Sequence, residues 1–217
     1  MTSSVRSVST PQGEARLYTD RARRPTATLV LGHGAGGGVE APDLVALAQA
    51  LPRQGISVVR LEQPWRVAGK RVASRPEALD EATVAALNAI RVRTPIVLGG
   101  RSAGARVACR LARRMGAVGC LALSFPLHPP GKPDKSRVDE LAGVGLPTFV
   151  VQGERDPFGG PDEFPERFDL TSIPQADHSF KVPRSAELSQ EETLALIVEA
   201  VVEWMTARIP TPQPGPR

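Results

Sequence analysis

Gly100-Arg101-Ser102-Ala103-Gly104 sets a serine between glycines, after the apolar run from Pro95 and before Val107, Leu111 and Met115 at helical spacing. A strand that turns sharply into a helix lifts such a serine above the sheet edge with its Oγ exposed. The hydroxyl is a poor nucleophile near neutral pH until a base removes its proton, and the base needs a carboxylate to orient it. On an open sheet these partners follow in the order serine, acid, histidine, each beyond a strand. Asp156 in "TFVVQGERDPFGG" and His178 in "PQADHSF" stand in that order, so Ser102, Asp156 and His178 are the candidate nucleophile, acid and base. The competing structural readings are a helix-capping Ser102, an Asp156 that only starts a turn before Pro157, and a purely structural His178. Asp162 and Glu163 are the reserve acids.

A second stretch, "LVLGHGAGGG" from Leu29 to Gly38, is an apolar run ending in glycines. Gly32, Gly34 and Gly37 satisfy the G-x-G-x-x-G spacing of a dinucleotide-binding turn, which requires a helix to begin within the glycines. Pro42 disfavours helical geometry at Ala41, so the helix starts too late for that use. The loop instead suits close passage of the backbone past a reacting carbonyl, with Gly34, Gly36 and Gly37 giving the room. His33 is expected to order this loop, and His128 in "PLHPPGKP" to fix another.

Strands alternating with helices must position these groups, which predicts an α/β fold: a mostly parallel sheet with helices on both faces. The strands are Thr28 to Leu31, Ile56 to Leu61, Ile96 to Gly99, Cys120 to Phe125 and Thr148 to Gln152, with a weaker one at Leu170 to Ile173. Leu44, Leu47, Ala48 and Leu51 mark one amphipathic helix, and Leu79, Thr83, Ala86, Leu87 and Ile90 another; Pro42 and Pro76 sit at their starts. Ser189 and Glu192 have capping-box spacing before a last helix that Pro210 stops. The first residues are expected to form a hairpin turning near Gln12-Gly13. Between Phe125 and Pro147 there is room only for a proline-rich loop and a short helix near Val138 to Ala142, so no cap domain is expected.

The 217 residues suit one domain, residues 1–209, followed by a disordered Pro-rich tail at 210–217. With 41% hydrophobic and 23% charged residues the chain is of the globular class. The net charge of +4 is carried by scattered arginines, with Arg21, Arg23 and Arg24 the densest group, read as a solvated face. No nucleic-acid partner is expected, since binders concentrate such charge in a stripe or face. No leader and no membrane span are legible, which predicts a cytoplasmic protein. Cys109 and Cys120 read as buried free thiols. Three histidines and two separated cysteines have no ligand spacing, so neither a metal nor any other cofactor is expected.

"LGHGAGGG", "GGRSAGAR", "FPLHPPGKP", "VQGERDPFG" and "ADHSFKVP" together resemble the α/β-hydrolase superfamily. More narrowly they resemble its small, cap-less, dienelactone-hydrolase-like group, which includes bacterial predicted hydrolases and testis-expressed hydrolase-like proteins. The resemblance implies a carboxylesterase-like serine hydrolase acting on a small-molecule ester or thioester. It places Ser102, Asp156 and His178 at the triad positions and Ala35 at the oxyanion position, where its N–H would join that of Ala103. A catalytically inactive domain kept as a protein-interaction module is the alternative, against which the intact serine, acid and histidine weigh. "LEQPWRVAGKRVA" departs from the group, whose members have a smaller aromatic followed by methionine. Trp65, Lys70 and Arg71 lie beyond a strand's carboxyl end, where such sheets bind ligands. They form either one wall of the substrate site or a solvated loop.

Overall fold

Five largely buried apolar runs and a sixth, half-exposed strand at the edge pair side by side to make the parallel part of one eight-stranded sheet. The structure, a computed structural model, describes residues 3–209, so the tail expected at 210–217 lies outside the described residues. The parallel strands are β3 (Ala27–Gly32), β4 (Ile56–Glu62), β5 (Ile96–Arg101), β6 (Gly119–Leu123), β7 (Thr148–Gly153) and β8 (Asp169–Ile173). Before them β1 (Ser4–Thr10) and β2 (Gly13–Asp20) form the expected antiparallel hairpin, and β2 runs antiparallel to β4. The order across the sheet is β1-β2-β4-β3-β5-β6-β7-β8. β6 ends two residues sooner than the apolar run suggests, because Ser124 takes φ 43° and turns the chain away.

The helices divide between the two faces. On one, Leu44 and Leu47 of α1 (Pro42–Ala50) and Ile197, Val201 and Trp204 of α6 (Gln190–Arg208) pack on Leu29, Leu31 and Val97. On the other, Leu79 and Ala86 of α3 (Pro76–Ala89) and Val107 and Leu111 of α4 (Ala103–Leu111) pack on Val30 and Leu98. Two short helices, α2 (Pro64–Val67) and α5 (Val138–Ala142), lie in the connections after β4 and β6. Pro42 and Pro76 each open their helix, where the missing N–H costs no hydrogen bond. Ser189 Oγ accepts from the Glu192 N–H and the Glu192 carboxylate accepts from the Ser189 N–H, closing the capping box of α6. The connection from Phe125 to Pro147 holds a 3₁₀ turn and α5, with no cap domain. Cys109 and Cys120 are free and buried, Sγ to Sγ 3.9 Å, and their contact together with burial pushes the Cys109 thiol well above its ordinary value.

Parallel pairing aligns Gly32 of β3 with Gly100 of β5, and Arg101 of β5 with Leu123 of β6. The carboxyl ends of the three central strands therefore meet at one level, where the loops carrying the candidate residues emerge.

Candidate active site

Ser102 stands between β5 and α4 with φ 52° and ψ −113°, a backbone conformation costly for any residue with a Cβ. The strain of the turn thus falls on the serine itself. The flanking glycine at position 104 serves a different end from the sharp turning expected of it. A Cβ there would collide with the Gly32 carbonyl, so its absence lets α4 sit directly against β3. Ser102 does not cap α4 with its side chain. Its Oγ lies 2.9 Å from His178 Nε2 instead.

His178 follows β8, in the loop before α6. Its Nδ1 lies 2.8 Å from Asp156 Oδ2, which fixes the tautomer: Nδ1–H donates to the carboxylate and Nε2 accepts from the serine hydroxyl. Asp156, three residues beyond β7, is buried and fully engaged. Its Oδ1 accepts from the Phe158 N–H at 2.8 Å and its Oδ2 also accepts from Gln152 Nε2 at 2.9 Å. The Phe158 ring packs on the imidazole, centroids 4.3 Å apart, so one residue holds both the acid and the base. Of the reserve acids, Asp162 is exposed and Glu163 pairs with His128 Nε2 at 2.8 Å. His128 Nδ1 faces the Pro129 carbonyl at 2.9 Å, and so His128 ties two loops together as the sequence suggests.

The glycine loop passes on the other side of Ser102. α1 begins only at Pro42, beyond the glycines, which removes the dinucleotide reading. A Cβ on Gly34 would come within 3.3 Å of the Ser102 Cβ, whereas one on Gly36 or Gly37 would meet nothing within 4 Å. Only Gly34, of the three glycines expected to give room, is needed for close approach. His33, 3% exposed, anchors the loop. The Gln63 N–H donates to its Nε2 at 3.1 Å, so Nδ1 carries the proton and donates to the Gly34 carbonyl at 2.9 Å. Burial pushes the His33 pKa below its ordinary value, which keeps the ring neutral and both bonds in place.

Ala35 and Ala103 line one small cavity of about 10 Å³ together with His33, Trp65 and Val107. Ala103 opens α4, so its N–H has no intrahelical acceptor. Trp65 is 4% exposed and tilts against the His33 ring at 5.5 Å between centroids. It belongs to the wall behind the glycine loop. Lys70 and Arg71 do not join it: both are exposed, on the segment after α2, away from the lining of this cavity. The nearby Arg66 pairs with Glu40 at 3.2 Å across the mouth of the loop.

Residues 25–206 match a family described as an alpha/beta hydrolase domain. The chain belongs to this alpha/beta hydrolase family. A lidless serine hydrolase from Xanthomonas campestris shares the fold at TM-score 0.71 and 20% identity, over 98% of each chain. A dienelactone hydrolase from Anabaena variabilis does so at TM-score 0.72 and 18% identity, over 96% of this chain and 99% of that one. An esterase domain from Rhodothermus marinus superposes at TM-score 0.73 and 15% identity, over 97% of this chain and all of that one, 100%. At these identities the likeness is one of fold.

Four residues that shape the site have roles that are not legible in the sequence. Gln63, Gln152 and Phe158 have no motif of their own and act through contacts that only the fold creates. Arg101 was visible as the variable position beside Ser102, yet its partners lie far off in sequence. Its Nη2 donates to the His178 carbonyl at 2.8 Å, and its Nε lies 3.5 Å from the buried Asp43 carboxylate of α1. Burial pushes the Asp43 carboxyl up, and the Arg101 charge draws it back down.

Proposed function

We propose that the protein is a serine hydrolase that cleaves a small ester or thioester through an acyl-enzyme on Ser102. The observation that carries this reading is the unbroken chain from Asp156 through His178 to Ser102, with links of 2.8 and 2.9 Å. Ser102 Oγ attacks the carbonyl carbon while His178 Nε2 takes its proton, and the carbonyl electrons move to oxygen. The N–H groups of Ala35 and Ala103 receive that oxyanion, a contribution of roughly 10²- to 10³-fold per donor in comparable sites. His178 then gives the proton to the leaving alcohol or thiol as the carbonyl reforms. Water, activated by the same nitrogen, releases the acid and restores the hydroxyl.

The absence of a cap domain and the tightness of the cavity beside Ala35 and Ala103, about 10 Å³ or room for about one water, favour short acyl groups. Trp65 forms the apolar back of that space. Labelling with an activity-based fluorophosphonate tests the reading, with Ser102→Ala as control and p-nitrophenyl acetate against octanoate as substrates. Labelling and turnover that need Ser102, and a preference for acetate, are expected. Labelling or turnover that survives in Ser102→Ala would overturn the nucleophile; no labelling of the wild type would leave the interaction-module reading in its place.

A further inference from the structure

A cleft of about 540 Å³ lies at the amino ends of the parallel strands, the opposite end of the sheet from Ser102. Thr28 near the start of β3, Ser57 near the start of β4 and Thr94 just before β5 stand along it. The six residues of β5 separate it from Ser102 by about 20 Å. It is therefore a place of its own and no extension of the hydrolytic site.

Five arginines line this cleft: Arg6 from β1, Arg21 and Arg23 from the loop after β2, and Arg91 and Arg93 from the loop before β5. The lining contains no carboxylate, and among the described residues none of these five guanidiniums has an aspartate or glutamate within 4.0 Å. They outnumber the net excess of +4 for the whole chain. Sequence spacing presents Arg21 and Arg23 as a solvated face; the fold brings them to one concavity with Arg91 and Arg93, some seventy positions on. Arg6 is already fixed, its Nη2 donating to the carbonyl of Ala89 at the end of α3 at 2.7 Å. A concave surface lined by one sign of charge focuses its field and concentrates counter-ions.

The shape narrows the ligand. Among the lining residues Leu17 and Val59 are buried and Ile90 half-buried, an apolar floor shared with the buried Thr28 and Ser57, while the five arginines are exposed. Guanidinium groups match phosphate oxygens in a two-pronged geometry that ammonium groups cannot. A volume of about 540 Å³ lies within the range of small-molecule sites and is far too confined for a nucleic-acid track. We propose that this cleft binds a small organic phosphate of mononucleotide size, its phosphates on the arginines and its ring on the apolar floor.

Isothermal titration of the full chain with ADP, pyrophosphate and adenosine tests this. ADP binds, pyrophosphate binds more weakly for want of a ring, and adenosine does not bind. Raising salt from about 0.1 M to about 1 M weakens ADP, because the contacts are between exposed charges. The paired substitution Arg91→Ser with Arg93→Ser lowers ADP affinity tenfold or more, and so, independently, does Arg21→Ser with Arg23→Ser. Both pairs keep the wild-type Tm, since the side chains are exposed. Absence of ADP binding, adenosine binding as well as ADP, or unchanged affinity in both folded variants would overturn the proposal. Tighter binding of a single-stranded RNA than of ADP would also overturn it, in favour of a nucleic-acid surface.

Discussion

The guanidinium of Arg101 holds the backbone of His178: its Nη2 donates to the His178 carbonyl at 2.8 Å. The same group faces Asp43, 1% exposed, whose carboxylate oxygens have no hydrogen-bond partner and rely on this charge. Arg101 is thus a positioning residue that joins α1 to the histidine loop across the carboxyl end of β5. Arg101→Gln is expected to lower kcat about 10²-fold with little change in KM, the scale of an ångström's misplacement of a reacting group. It also leaves Asp43 buried and unpaired, a loss of about 3–5 kcal/mol. Adding Asp43→Asn restores much of the Tm but not kcat. Recovery of both together would make Arg101 a packing residue only.

Asp156 orients His178 through Oδ2 while the Phe158 N–H and Gln152 hold the carboxylate still. Asp156→Asn is expected to keep the fold and cut turnover by about 10⁴, the loss seen when an amide forces the wrong imidazole tautomer. Asp162→Asn changes nothing, because that side chain is exposed. Steady-state kinetics on the two variants checks the assignment, and the reverse pattern would move the acid to Asp162.

Both ring nitrogens of His128 face acceptors, the Pro129 carbonyl and the Glu163 carboxylate, and these hold its pKa above the ordinary 6.5. The Gly160 N–H and then His128 hold Glu163 below its ordinary 4.5. A raised histidine pKa adds stability that is complete below 6.5 and is lost as pH rises through the raised value. The lowered glutamate adds stability present above 4.5 and lost as pH falls through the lowered value. The Tm difference between wild type and Glu163→Gln is therefore expected to be larger at about pH 6 than at about pH 9. Equal differences at the two pH values would show that the pair adds nothing through its charges.

Strands, principal helices and the three residues that converge, Ser102, Asp156 and His178, were legible because each leaves a local mark. Buried parallel strands are runs of apolar residues, Pro42 and Pro76 announce helix starts, and a serine between glycines after such a run has few other uses. The contacts that perfect the site were not legible. Arg101 meets Asp43 and His178, and Phe158 meets His178, only because the carboxyl ends of β3, β5, β7 and β8 point the same way, with β7 and β8 running two residues further than β5. Lys70 and Arg71 could be read from the sequence either as a wall of the site or as a solvated loop, and in the fold both are exposed on the segment after α2. The cationic cleft was hidden for the same reason, since its arginines come from three separate segments.

After β5 the sheet grows in one direction only, β6, β7 and β8 each adding to the edge left by the strand before. The Ser102 turn is made near the middle of the chain, while Asp156 and His178 emerge from the loops after β7 and β8. A nascent or truncated chain that stops before β7 would carry Ser102 without Asp156 or His178 and so without an activated oxygen. The order of strands thus sets when these three side chains can first meet, which is only after the loop beyond β8 has been made.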